Sequence, residues 1–158
     1  MKIDEIYMSE AIKEAGKAID EDEVPVGVVI VHNRRIIARA HNQTRMLKDP
    51  TAHAEIMAIR AACQKLETHS LKDCVIYSSC EPCPMCFAAI LWANLSGLYF
   101  AATRKDAADI GFQDNALHAL FRVPPRTKWP LPTNPQWPSW RARNDAIKMM
   151  KAWKGASY

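Results

Sequence analysis

The chain has 158 residues, 49% hydrophobic and 24% charged, which suits one globular domain with a sizeable core and excludes a disordered or fibrous chain. A net charge of +4 permits an anionic partner but falls short of a nucleic-acid footprint. No apolar run reaches the roughly 18 residues of a spanning helix, and the opening "MKIDEIYMSEAIKEAG" carries acids unlike a signal peptide, so no membrane role and a cytoplasmic location are expected. Five cysteines in that compartment point to thiols and metal ligands rather than disulfides.

In chain order, Ile3, Ile6, Tyr7, Ala11, Ile12, Ala15 and Ile19 recur at steps of three and four, which predicts an amphipathic helix over the first twenty residues with its acids outward. "VPVGVVIV" (24–31), the turn "HNRR" and "IIARA" (36–40) predict a hairpin. Asp49-Pro50 marks the next helix start, with Asp49 or Thr51 as the N-cap and "AHAEIMAIRAACQKL" as its body. "CVIYSS" (74–79) predicts a buried strand, Pro84 opens the short helix "PMCFAAILWA", and "GLYFAA" (97–102) predicts another strand. This order implies a three-layer α/β/α domain around a mixed sheet.

After Gly111 the composition changes. Six of the ten prolines lie between Pro124 and Pro138, with Trp129 and Trp137 among them, so an extended arm is expected there. "SWRARNDAIKMMKAWKGASY" then reads as a basic helix and a short tail. No repeat or second domain is visible; a single domain spans 1–158, with a core over 1–115 and the arm, helix and tail over 116–158.

The residues that can carry chemistry are His53 and the cysteines of "SCEPCPMC" (79–86). A zinc ion acting on a substrate needs three nitrogen or sulfur ligands and one open position. Cys80, Cys83 and Cys86 form two overlapping CxxC pairs, and helix geometry chooses between them. Cys83 and Cys86 flank the first turn of the helix opened by Pro84, where residues three apart share a face and the helix N-terminus favours thiolate. Cys80 ends a strand and is left as a buried thiol or one just outside the ligands. A structural four-ligand site would need a fourth partner such as Cys80 and would leave Glu55 unexplained.

Glu55 follows His53 by two positions. On a regular helix such residues point about 200° apart, so spacing alone does not bring Glu55 to a metal held by His53. Its role comes from a resemblance. His53-Ala-Glu55 with Pro82-Cys83-x-x-Cys86 is similar to the H-x-E…P-C-x-x-C signature of zinc deaminases, where a glutamate that is not a ligand carries protons.

Over roughly residues 5 to 115 the chain resembles the cytidine deaminase-like superfamily, and within it the guanine deaminase and tRNA adenosine deaminase branches. "DPTAHAEIMAIR" (49–60) is similar to both branches, and "EVPVGVVIVHNRRII" (23–37) more to the tRNA enzymes. "SCEPCPMCFAAILWA" and "YFAATRKDAADIGFQD" (99–114) are similar to the guanine enzymes. The resemblance implies a central sheet of about five strands, zinc on His53, Cys83 and Cys86, and proton transfer by Glu55. It implies that Asn42 bonds the base, an alternative being an ordinary turn residue after a strand, and that the Ala54 N–H orients water or substrate. Asp114 matches the acidic residue of the guanine branch, Phe112 a wall for a flat ring, and Tyr158 a tail that covers the site and is exchanged in a homodimer. The guanine branch usually has Gly-Gly-Pro-Phe-Gly where this chain has Glu23-Val-Pro-Val-Gly27.

The leading expectation is hydrolytic deamination of guanine, a small-molecule purine, or a related aminopurine or nucleoside. The alternative is deamination of adenosine in tRNA, which wants an open cleft, a flipped base and a basic rim. Lys148, Lys151 and Lys154 with Arg141 and Arg143 supply charge near the end, although that spacing also describes a solvated helix face. A third reading is a zinc-stabilised scaffold that binds a partner through its Trp- and Pro-rich arm.

Overall fold

A computed structural model describes residues 3–109, 111 and 115–120. Residues 1–118 form one compact unit; a second unit comprises 119–158, of which only 119 and 120 are described. The Pro-rich arm and basic C-terminal helix expected from the sequence lie outside the described residues.

Helix α1 (Ile3–Asp20) precedes a hairpin of β1 (Gly27–His32) and β2 (Arg35–His41). A single turn of helix, α2 (Thr44–Leu47), leads to α3 (Ala54–Leu66), and β3 (Cys74–Cys80), α4 (Pro84–Trp92) and β4 (Gly97–Ala102) follow. Two short helices close the described part, α5 (Arg104–Asp109) and α6 (Asn115–Leu120). Among the described residues the sheet has four strands, fewer than the five or so expected, in the order β2-β1-β3-β4. β1 is antiparallel to both β2 and β3, and β3 is parallel to β4, so the sheet is mixed.

Alternation along the strands builds the two faces. Val28, Ile30 and Ile76 point to one side and pack with Ala54, Ala58 and Ala62 of α3 and Ile90 of α4. Val29, Val31 and Tyr77 point to the other and meet Tyr7 and Ala11 of α1. The hairpin turns at Asn33 and Arg34, both with positive φ (48° and 62°), as a two-residue loop matching strand twist requires.

Three local expectations are corrected. In α1, Ile6, Ile12 and Ile19 are exposed, while Tyr7, Ala11, Ala15, Ala18 and one acid, Glu14, are buried. The reason is close approach. A Cβ at Gly27 would sit 2.2 Å from the Ala11 carbonyl oxygen and 2.2 Å from the Ala15 nitrogen, so only small residues fit where the helix backbone crosses β1. Glu14 keeps its charge partnered by Lys17 at 2.9 Å.

The first strand starts at Gly27 rather than at residue 24, because Val26 N–H turns back to the Val24 carbonyl at 2.7 Å. Neither Asp49 nor Thr51 caps α3. Asp49 instead accepts from the backbone and hydroxyl of Thr51 in a local turn, and the N-cap is His53, in an extended conformation (φ −68°, ψ 154°). No helix among the described residues is long and apolar enough to cross a membrane.

Candidate functional site

Two helix starts meet at the ends of the strands. His53 caps α3 and Cys83 caps α4, each extended, and Pro84 occupies the first position of α4, where its missing N–H costs nothing. This places His53 Nδ1 3.7 Å from Cys83 Sγ and 3.6 Å from Cys86 Sγ. The three donor atoms lie within 4.8 Å of one another. Ligands at 2.0–2.3 Å from a tetrahedral zinc stand roughly 3.5–3.8 Å apart, so the spacing and the N/S/S chemistry fit that ion. Cys80 is not part of this trio; it is half-buried and lines the adjoining cleft.

The donors are tuned by their own contacts. The hydrogen bond with Cys86 and, against burial, that with His53 pull the Cys83 thiol down to about 4. The same contact with Cys83, together with burial, drives the Cys86 thiol far up, and the bond to Cys83 raises His53. Burial pushes the Glu55 carboxyl above its ordinary range.

Glu55 is only 3% exposed, yet it lines the same cleft as His53 and Cys83. The 200° separation expected of a regular helix does not apply, because His53 is extended and only Glu55 lies inside the helix. Ala54 is the first residue of α3, fully buried; N–H groups of a first turn have no carbonyl within the helix to bond.

The cleft has a volume of about 350 Å³. Val24, Val26, Ala107 and Leu117 give it apolar walls, and Asn42, Thr44, Glu81 and Arg104 contribute polar groups. Asn42 directly follows β2 and is 4% exposed. Its Nδ2 donates to Glu23 Oε2 at 2.9 Å and to Thr44 Oγ1 at 3.0 Å, so it is held in a buried network and is more than a turn residue. Phe112, Asp114 and Tyr158 lie outside the described residues.

Sequence reasoning missed Glu23 and Thr44. Burial pushes the Glu23 carboxyl up, but hydrogen bonds from Met46, Asn42, Arg45 and Thr44 outweigh it and hold the group below the usual carboxylate range. The signal was the departure at Glu23-Val-Pro-Val-Gly27. Glu81 and Arg104 were also missed; the Arg104 N–H donates to Glu81 Oε2 at 2.8 Å and ties the start of α5 to the end of β3.

The profile of the "Cytidine and deoxycytidylate deaminase zinc-binding region" family matches residues 1–102. The chain belongs to this family. Within it, the chain is 49% identical over 100 residues to a guanine deaminase of Bacillus subtilis, covering 63% of this chain and 64% of that protein. It is 44% identical over 101 residues to a tRNA-specific adenosine deaminase of Aquifex aeolicus, covering 64% and 67%. The crystal structure of guanine deaminase from Bacillus subtilis superposes with a TM-score of 0.82 at 32% identity, covering 98% of this chain and 97% of that one. The aligned sequence thus spans just under two thirds of the guanine deaminase, whereas the structural likeness spans nearly all of it.

Proposed function

We propose that this deaminase-family chain is a zinc-dependent aminohydrolase that converts guanine and water to xanthine and ammonia, with related aminopurines or their nucleosides as close variants. The observation that carries the reading is the likeness to the Bacillus subtilis guanine deaminase structure, at a TM-score of 0.82.

His53, Cys83 and Cys86 hold the ion in this reading. Bound zinc supplies a Lewis acid that lowers the pKa of water at the open position towards about 7. Glu55 takes the proton of the attacking water and delivers it to the ring nitrogen beside the carbon under attack. It then takes the remaining proton from the hydroxyl now on that carbon and passes it to the departing amine, so the C=O bond forms and the C–N bond breaks as ammonia leaves. A carboxyl raised by burial is suited to hold a proton between these transfers. The Ala54 N–H orients water or substrate, Asn42 bonds the ring edge, and the apolar walls seat its faces. Phe112, Asp114 and Tyr158 are assigned to the remaining ring contacts and the cover, with the tail exchanged in a homodimer.

The test is ammonia release by the zinc-loaded protein from guanine, guanosine, adenine, cytosine, cytidine and an adenosine-containing tRNA stem-loop. Guanine turnover is expected. The 44% identity to the Aquifex enzyme supports tRNA adenosine as the second reading, and turnover of the stem-loop without guanine would establish it in place of the first.

A further inference from the structure

We propose that Arg104 reads the C6 side of the purine, its guanidinium donating to O6 and N7 of guanine while the amine at C2 is hydrolysed. The inference rests on the guanine reading and deepens it. Arg104 opens α5, is half-buried and lines the cleft, where it is the single arginine or lysine among the described residues.

The acids beside it are already engaged. Asp106 accepts the Thr103 backbone N–H at 2.8 Å and the Thr103 hydroxyl at 2.6 Å, and Asp109 accepts Lys105 Nζ at 3.2 Å. Glu81 gives its Oε2 to the Arg104 backbone N–H at 2.8 Å. That leaves the guanidinium with no carboxylate partner among the described residues. A guanidinium carries five N–H donors and no acceptor. A ligand that shuts water out of the cleft must therefore bring acceptors to it or strand a charge.

Topology decides where on the ring those acceptors lie. Gly27 pairs with His41 and Cys80 with Ala102, so Asn42, just past β2, and Arg104, two residues past β4, lie at the same end of the sheet. In the order β2-β1-β3-β4 they mark its opposite edges, three strand spacings or roughly 14 Å apart. Cys83, three residues past β3, stands between them. A purine turning C2 to the metal trio thus presents one flank to Asn42 and the other to Arg104. In its N9–H tautomer guanine offers adjacent acceptors at O6 and N7, which a guanidinium fork bonds together. Its other flank, N3 beside N9–H, offers one acceptor. A C6 amine would set donors against donors, so Arg104 is a specificity-determining residue that favours oxygen at C6.

Three purines with the amine at C2 differ at C6: guanine has oxygen, 2,6-diaminopurine an amine and 2-aminopurine hydrogen. The last two share a bare N1, so comparing them isolates C6. Arg104→Gln replaces the fork with an amide, which accepts from an amine at C6 and donates to N7. With zinc-loaded proteins, chromatography of xanthine, isoguanine and 2-hydroxypurine gives kcat/KM for loss of the C2 amine from each. An analogue that turns over too slowly is compared by its inhibition constant against guanine.

In Arg104→Gln the preference for 2,6-diaminopurine over 2-aminopurine is expected to rise about tenfold or more, and that for guanine over 2-aminopurine to fall by a similar factor. Ratios measured on one preparation cancel any loss of folded or zinc-loaded enzyme. A merely structural role for Arg104 lowers all three rates together; unchanged ratios overturn the inference. A raised KM for the tRNA stem-loop with unchanged ratios also overturns it and assigns the guanidinium to a phosphate. Wild-type turnover of the stem-loop but of none of the purines sinks the guanine reading and the inference with it. Guanine turnover with unchanged ratios sinks the inference alone.

Discussion

His53 ends an extended segment and opens a helix, and that dual position allows a ligand and a buried carboxylate two residues apart to serve one cleft. Replacing the carboxylate should separate proton transfer from metal binding. Glu55→Gln is expected to lower kcat by about 10²–10⁴-fold, with zinc content by atomic absorption unchanged; full zinc and full activity would remove Glu55 from the chemistry. In a binding scaffold the same variant would change nothing.

Glu23 makes a separate prediction at this scale. Its folded pKa lies below the ordinary 4.5, so the stability it contributes is present above that value and is lost as pH falls through the lower folded value. The melting-temperature gap between wild type and Glu23→Gln should therefore narrow between about pH 6 and about pH 3, and a constant gap would contradict the assignment.

The metal trio was legible in the sequence because cysteine and histidine carry a chemistry that few other roles share. Glu23 was not, because a carboxylate among loop acids reads as a solvated charge until the chain folds Asn42 onto it.

The elements followed from hydrophobic patterning where one face is buried by bulky apolar residues, as in β1 and β3. Patterning was right in α1 for Tyr7, Ala11 and Ala15, which face the sheet, and misled for Ile6, Ile12 and Ile19, which are exposed. It also missed α2, four residues long, whose start is set by the Glu23 carboxylate on the Arg45 and Met46 N–H groups. The close crossing of α1 over β1 has a cost when filled. Gly27→Ala places a methyl against backbone atoms that cannot rotate away, and a loss of about 1–3 kcal/mol or more is expected from urea unfolding. Because Gly27 also accepts the restraint of a bond from its N–H to Ser79 Oγ at 3.0 Å, backbone retreat is opposed. Gly16, where an added Cβ meets nothing within 4 Å, is the control: Gly16→Ala should stabilise α1 by about 1 kcal/mol.

At the scale of the whole molecule, substrate choice in the proposed function depends on the C-terminal segment as well as the cleft. Deleting Gly155 to Tyr158 is expected to abolish guanine turnover, and unchanged kinetics would reject the cover. Exchange between subunits adds a sharper expectation. Mixing the inactive full-length Glu55→Gln protein with the tail-deleted protein should restore activity, because a subunit with an intact Glu55 then receives a partner's tail; no recovery would argue that each tail covers its own site.

The ligands also have a topological consequence. His53 and Cys83 are 30 positions apart, and the whole of β3 lies between them. β3 is the strand that joins the hairpin to β4, and its Ser79 meets Gly27 across 52 positions. A zinc ion on the trio therefore closes a loop around that strand and removes much of the chain entropy gained when it detaches. Hydrogen exchange should register this unevenly. Chelation should speed exchange of β3 and α4 amides while the β1–β2 hairpin, held by neighbours close in sequence, keeps most of its protection. The metal that equips the site for hydrolysis would thus also act as a clasp, making the intactness of the sheet a readout of its occupancy.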